Sequence, residues 1–360
     1  MYLDRATLRR MAGQVIVCGF AEAGVDAPLR QIAREVGPLG LVAFGRNVHD
    51  AQQAIELARE LRAFEGDWLL AIDHEGGPIT RLQEGLSRFP AMRDVGALDR
   101  PDVAEQVGQG IGRELRAIGF DWNFAPVVDV DTNPNNPVIG RRAFDASPQR
   151  VARLAAAFIR GQQQSGVAAC AKHFPGHGDT HVDSHHGLPE VTHERQRLVE
   201  VEWHPYPAAI DSGVASVMTA HVRLHAIDPL QPATLSPAVL GGVLRDQLGF
   251  AGAIVADDID MKAVSDAVPA RLVGAPALVA GCDVLLACHQ NDSTVALYEG
   301  IVRAAESGAL PHATLADRAA RAVALRRRWQ APLAPAASAR QQLARAREAN
   351  AALLARHRLN

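Results

Sequence analysis

Residues 167–189 read V-A-A-C-A-K-H-F-P-G-H-G-D-T-H-V-D-S-H-H-G-L-P. The run Val167–Phe174 is apolar until Lys172-His173, and an apolar run without alternation is the pattern of a strand buried on both faces, as in a parallel sheet. The stretch from Pro175 to Pro189 is too rich in Gly and Pro for a regular helix. It belongs to a segment that carries five histidines, His173, His177, His181, His185 and His186, together with Asp179 and Asp183. Histidines that only fill a core arrive singly, so this crowding points to chemistry. A buried strand that ends in charged and imidazole side chains is how a (β/α)8 barrel presents an active site at its C-terminal rim.

Seven further apolar runs repeat the pattern: Gln14–Phe20, Gly40–Arg46, Trp68–Asp73, Asp121–Asp129, Ala215–Val222, Ala253–Ile259 and Cys282–Cys288. Segments with helical periodicity lie between most of them, among them Ala51–Phe64, Val103–Ile118, Pro148–Ser165, His193–Ser212 and Pro237–Leu248. Eight strand and helix alternations predict a single TIM-like (β/α)8 barrel of the α/β class. An open doubly wound sheet would be expected to carry a Gly-rich fingerprint after its first strand, and none follows Phe20. The barrel is expected over 1–335 as the catalytic domain, with 336–360, rich in Ala, Arg and Leu, as a C-terminal helical tail.

Composition narrows the function. The chain has 360 residues, 48% hydrophobic, enough for a large core. A net charge of −3, from 37 basic and 40 acidic residues without long single-sign runs, leaves no electrostatic footprint for nucleic acid. The start, MYLDRATLRRMAGQ, is charged and helix-like, and no stretch approaches the roughly 18 apolar residues of a membrane span. A cytoplasmic location without a membrane partner is expected. Cys18, Cys170, Cys282 and Cys288 show no C-x-x-C spacing and read as reduced core thiols.

Polar residues cluster just after the apolar runs: Asp73-His74-Glu75, Asp129-Val130-Asp131, Lys172-His173, His221 and Asp257-Asp258. Asp183 stands two residues from His185, close enough to hold the ring and make the pair a general acid/base. Of Asp257 and Asp258, at the end of A-I-V-A, alternation lets only one face the barrel axis. That one suits a nucleophile or metal ligand, and the other a brace for neighbouring backbone. Asp73, Arg81 and Arg142 are the kind of charged groups that fix sugar hydroxyls through paired hydrogen bonds. Alternatives stay open on these residues. His181, Asp183 and His185 have a spacing that a zinc hydrolase could use, although no H-x-H follows the first strand and the Lys172 ammonium stands close by. A non-catalytic sugar-binding barrel is another reading. A serine hydrolase lacks its G-x-S-x-G elbow.

Four motifs together resemble glycoside hydrolase family 3, and within it the single-domain bacterial β-N-acetylglucosaminidases of the NagZ type. They are K-H-F-P-G-H-G-x-x-x-x-D-S-H at 172–185, D-x-E-G-G-x-x-x-R at 73–81, I-G-x-R-x-F at 139–144 and A-D-D-I-D-M at 256–261. The resemblance runs from about Gly13 to Leu325 and implies a TIM-like barrel. It implies Asp257 as nucleophile, His185 as general acid/base held by Asp183, and Asp73, Arg81, Arg142, Lys172 and His173 as ligands of N-acetylglucosamine in the −1 subsite. His177, His181 and His186 are then expected to shape or solvate the loop. The implied reaction is retaining hydrolysis of a terminal β-linked N-acetylglucosamine through a glycosyl-Asp intermediate, with no cofactor and no metal. The implied substrate is N-acetylglucosaminyl-1,6-anhydro-N-acetylmuramic acid, with or without its peptide, in peptidoglycan recycling by a cytoplasmic monomer. A histidine acid/base would tolerate an anionic acceptor better than a carboxylate would, which leaves phosphorolysis as an alternative. His74 stands where Gln is common and Pro78 where a basic residue often follows the Gly pair, so both are expected to affect the shape of the sugar pocket.

Overall fold

The computed structural model describes residues 3–64, 67–289 and 291–359. Met1 and Tyr2 of the expected N-terminal helix and Asn360 of the expected tail lie outside them. Eight strands close into a barrel: β1 Ile16–Cys18, β2 Gly40–Ala43, β3 Leu69–Ile72, β4 Trp122–Asn123, β5 Ala168–Phe174, β6 Ser216–Thr219, β7 Ala253–Asp258 and β8 Val284–Ala287. Neighbours in sequence are neighbours in space, and β8 pairs with β1 through Ile16 and Leu285. Every pairing in the barrel is parallel. The expected (β/α)8 architecture is the observed one.

Each expected run contains a strand, but the fourth is far shorter than its apolar stretch. Asp121–Asp129 yields only Trp122–Asn123, with a single further bridge between Val127 and Lys172. Pro126 has no N–H to give a ladder, so regular pairing lapses there while the chain stays buried. The segment expected as one helix over His193–Ser212 is also interrupted. A short turn at Arg195–Arg197 opens into a wide turn over Leu198–Glu202, where Trp203 N–H reaches back five residues to Leu198 C=O at 2.7 Å, and a helix resumes at Pro205–Asp211. Other helices follow their sequence signals. Asp50 caps Ala51–Ala63 by accepting from Gln52 and Gln53 N–H, and Ser147 caps Pro148–Gln164.

The apolar residues form two layers. Val17, Val42, Leu69, Trp122, Cys170, Val255 and Leu286 fill the barrel interior, and Ala322, Leu325 and Trp329 of helix His312–Trp329 pack against them. A larger shell lies between the strands and their helices. All four cysteines are buried and unpaired.

Acidic residues at the two ends of the strands have different work. Asp121, just before β4, accepts from Leu70 N–H of β3 at 3.0 Å and pairs with Arg62 and Arg116. Asp283, just before β8, accepts from Ile254 N–H of β7 at 2.8 Å and pairs with Arg245. Both are fully buried, and losing either would strand arginines and cost about 3–5 kcal/mol. These acids tie strands together at the N-terminal end of the barrel. The C-terminal helix Ala336–His357 lies along helix Pro101–Ile118, where buried Asn350 donates to Glu114 Oε1 at 2.9 Å. No helix among the described residues is long and apolar enough to cross a membrane.

Candidate active site

At the C-terminal rim, the ends of the strands and the loops after them enclose a cavity of about 320 Å³, in the range of small-molecule sites. All eight of the residues singled out in the sequence reach this region. Asp73, Arg81, Arg142, Lys172, His173, His185 and Asp257 line the cavity, and Asp183 stands behind His185.

The floor is an ion network. Lys172 Nζ, at the end of β5, lies 2.6 Å from Asp73 Oδ1 and 2.7 Å from Glu75 Oε1. Arg142 reaches both oxygens of Glu75, at 2.9 and 2.7 Å. Arg81 stands 3.5 Å from Asp73. Burial works against the Lys172 ammonium, yet Asp73 and Glu75 outweigh it and hold its pKa above the ordinary value. Burial pushes the Glu75 carboxyl up, and Arg142 and Lys172 more than reverse that, so it sits far below the usual carboxylate range. The site therefore holds buried, paired charges in fixed positions on the cavity floor, an arrangement suited to orienting a polar ligand.

Sequence reasoning missed Glu75 as a site residue. Its signal is present in D-H-E-G-G, because residues two apart on an extended segment share a face, and Asp73 is itself a site residue. Asp129 was missed in the same way. It is fully buried and takes His173 Nδ1 at 2.8 Å, His173 N–H at 3.1 Å and His177 N–H at 2.7 Å, which sets the ring of His173 against the cavity.

Asp257 is the penultimate residue of β7 and also lines the cavity. Burial raises its pKa, but the imidazoles of His173 and His221, the Asp258 N–H at 2.8 Å and Lys172 outweigh this and hold it below its ordinary value. These groups favour the anionic form of Asp257. Asp258 braces backbone, as expected for the second acid: its Oδ1 accepts from Cys288 N–H at 3.0 Å and Asp260 N–H at 3.2 Å. Buried His221 contributes a further support, with Nε2 3.0 Å from the Asp258 carbonyl and Nδ1 2.7 Å from Thr234 Oγ1.

The loop after β5 brings Asp183 and His185. Asp183 Oδ1 accepts from His185 N–H at 2.9 Å and meets His185 Nδ1 at 2.8 Å, which aims Nε2 away from the carboxylate. Burial raises the Asp183 carboxyl, and the backbone and ring of His185 more than offset it. The His185 side chain is 60% exposed, so a ligand can meet it without moving a core element. The loop is fastened at several points: Asn133 donates to Thr180 C=O, Asn136 to His177 C=O, and Ala263 N–H to Ser184 C=O. His177, expected only to shape or solvate the loop, is buried. Its Nδ1 shares a hydrogen bond with Thr180 and its Nε2 lies 3.3 Å from Ser184, and burial and the neighbouring His173 lower its pKa to about 4.

Two other expectations meet the structure differently. His181 turns to Asn133 at 3.2 Å, and the one group of histidine and carboxylate side chains able to hold an ion, among the described residues, is Asp179, His193 and Glu202. The zinc-hydrolase reading from His181, Asp183 and His185 therefore gains no support. His74 is buried behind the cavity wall, its N–H bonded to Asn123 Oδ1 at 2.8 Å; Asp73, Glu75, Ile79 and Arg81 line the cavity from this segment, and His74 and Pro78 do not.

The glycosyl hydrolase family 3 N-terminal domain matches residues 22–325. A β-hexosaminidase of Methylococcus capsulatus is 39% identical over 265 residues, covering 73% of this chain and 79% of that protein. A glycoside hydrolase family 3 β-N-acetylglucosaminidase from Paenibacillus superposes with a TM-score of 0.88 at 37% identity, over 97% of this chain and 69% of that one. NagZ from Neisseria gonorrhoeae in complex with N-trifluoroacetyl-D-glucosamine superposes with a TM-score of 0.79 at 31% identity, over 95% of this chain and 98% of that one.

Proposed function

Since this chain belongs to glycoside hydrolase family 3 and is a β-N-acetylhexosaminidase, we propose that it removes terminal β-linked N-acetylglucosamine by a retaining, two-step mechanism centred on Asp257. One observation carries the reading: Asp257 and His185, with Asp183 behind it, border the same cavity as the Asp73, Glu75, Lys172 and Arg142 network. A nucleophile, a proton donor and a polar cradle are the three parts that glycosyl transfer to a side chain requires.

In the first step an Asp257 oxygen bonds to the anomeric carbon as the glycosidic C–O bond breaks. The His185 imidazolium gives its Nε2 proton to the departing oxygen, while Asp183 holds Nδ1–H and stabilises the charged ring. In the second step neutral His185 takes a proton from water, whose oxygen attacks the anomeric carbon and releases Asp257. Asp73, Arg81, Arg142, Lys172 and His173 hold the N-acetylglucosamine ring, and Glu75 keeps Lys172 and Arg142 in position. A histidine acid/base stands where most retaining enzymes use a second carboxyl group, so the usual carboxylate separation does not apply.

The substrate that suits this reading is N-acetylglucosaminyl-1,6-anhydro-N-acetylmuramic acid, with or without its stem peptide, cleaved in the cytoplasm during peptidoglycan recycling by a monomeric enzyme without a cofactor. Support for the sugar comes from the Neisseria relative with its N-acetylglucosamine analogue. Incubation with a 2-fluoro or 5-fluoro N-acetylhexosaminide, followed by peptide mapping, tests the reading. A sugar adduct on the peptide containing Asp257 is expected. An adduct on another residue, or full activity in Asp257→Ala, would refute it.

A further inference from the structure

Asp179, His193 and Glu202 each bring one possible ligand atom within 4.8 Å of the others, at the base of the loop that carries Asp183 and His185. Glu202 sits in the wide turn Leu198–Glu202 and packs directly under the loop, where a Cβ on Gly176 would lie 2.8 Å from the Cβ of Glu202. His193 Nε2 already shares a hydrogen bond with Asp179 Oδ2.

The independent sign of a ligand is Glu202 itself. It is 3% exposed, and its Oε2 has no hydrogen-bond partner. The cation beside it is a loose match: Arg197 Nη2 lies 3.3 Å from Glu202 Oε1, 3.8 Å from Asp179 Oδ2 and 3.4 Å from Thr132 Oγ1. A buried carboxylate oxygen left unpaired is costly, and a metal ion is one of the few groups that satisfies it together with a second carboxylate and an imidazole.

We propose that Asp179, His193 and Glu202 form a binding site for a divalent transition-metal cation of the zinc class, separate from the glycosidase centre. One imidazole with two carboxylates, and a fourth position left to water, is a donor set that zinc accepts and that magnesium or calcium, which take oxygen ligands, do not favour. Ligand atoms stand about 2.0–2.2 Å from bound zinc, so the three groups draw together on the ion. Arg197, 37% exposed, can swing outward as they do. Asp179 lies four residues before Asp183 and six before His185, so the ion ties the start of the catalytic loop to the Glu202 turn. The role of the site is to position that loop.

The test uses the full chain, stripped with chelator, dialysed and titrated with zinc chloride in a calorimeter. Binding of one equivalent is expected, weakened by at least about 10–100-fold in His193→Ala and in the isosteric Glu202→Gln, and unchanged in His185→Ala. Absence of binding by the wild-type chain overturns the proposal. So does equal affinity in His193→Ala, or loss of binding in His185→Ala with retention in His193→Ala, which would put the ion at the catalytic pair. Anomalous scattering at the zinc edge from crystals of the wild-type protein locates the ion without any variant, and density away from Asp179, His193 and Glu202 would overturn the assignment. None of these readouts depends on turnover, so failure of the metal site leaves the glycosidase reading standing.

Discussion

Replacing Glu75 by Gln keeps the side-chain shape and removes one negative charge from the floor of the cavity. In the native chain Glu75 is 2% exposed, binds Arg142 through both oxygens and lies 2.7 Å from Lys172 Nζ. The variant leaves Lys172 with Asp73 at 2.6 Å and leaves Arg142 with the Val138 carbonyl at 3.2 Å. Removing one partner of a buried ion pair costs about 3–5 kcal/mol. The amide oxygen still accepts one hydrogen bond, so the low end, about 3 kcal/mol, is expected for folding stability. With Lys172 and Arg142 as the proposed sugar ligands, loosening either cation is expected also to weaken a charge-assisted hydrogen bond to the sugar, worth about 1.5–3 kcal/mol. At 1.36 kcal/mol per tenfold, that is roughly a 10- to 100-fold loss in kcat/KM. Urea unfolding followed by tryptophan fluorescence gives the first quantity, and hydrolysis of an aryl β-N-acetylglucosaminide the second. A midpoint equal to wild type together with kcat/KM within about threefold would refute the view that Glu75 organises the sugar cradle.

Substituting His185 by Ala should cost poor leaving groups roughly 10²–10⁴-fold and activated aryl leaving groups much less; equal losses on both would remove the acid role. His74→Gln should flatten the acid side of the stability profile. Burial, aided by Arg81, lowers the native His74 pKa from 6.5 to about 4, so the unfolded chain takes up this proton first and stability is lost as pH falls from 6.5 to 4. A shift of this size is on the order of 3 kcal/mol, present in full above pH 6.5, and parallel wild-type and variant profiles would contradict it. Asn350→Ala leaves buried Glu114 without one of its donors, and a loss of about 1–3 kcal/mol is expected by thermal or urea unfolding. No change would mean that the C-terminal helix is held by apolar packing alone.

The barrel was legible because buried parallel strands write themselves as short apolar runs, and because five of the eight runs lead into polar residues of the kind that the rim needs. Legibility failed where a local signal was overruled. Asp121–Asp129 is apolar and buried like a strand, but Pro126 denies it a ladder. His193–Ser212 has helical periodicity, but the chain opens at Leu198–Glu202 and sets Glu202 against Gly176, in the segment after β5 that leads to Asp183 and His185.

At the site, the motifs of the sequence marked Asp257, His185, Asp183, Asp73, Arg81, Arg142, Lys172 and His173 as candidates, several of them standing at or just after the apolar runs. Local sequence also fixed the Asp183–His185 pair, two residues being too close to miss one another on a loop. Only the closed barrel could bring Lys172 to Asp73 across 99 residues of chain, or show that Glu75 stands between Lys172 and Arg142. The two strand-end classes of acid were likewise settled by tertiary structure. Asp121 and Asp283 fall at the N-terminal end among arginines and bind strands together, whereas Asp257 falls at the open end beside His173 and His221. Composition cannot separate these cases, because a carboxylate's role depends on which charges the fold sets within a few ångströms of it, and those charges come from distant parts of the chain.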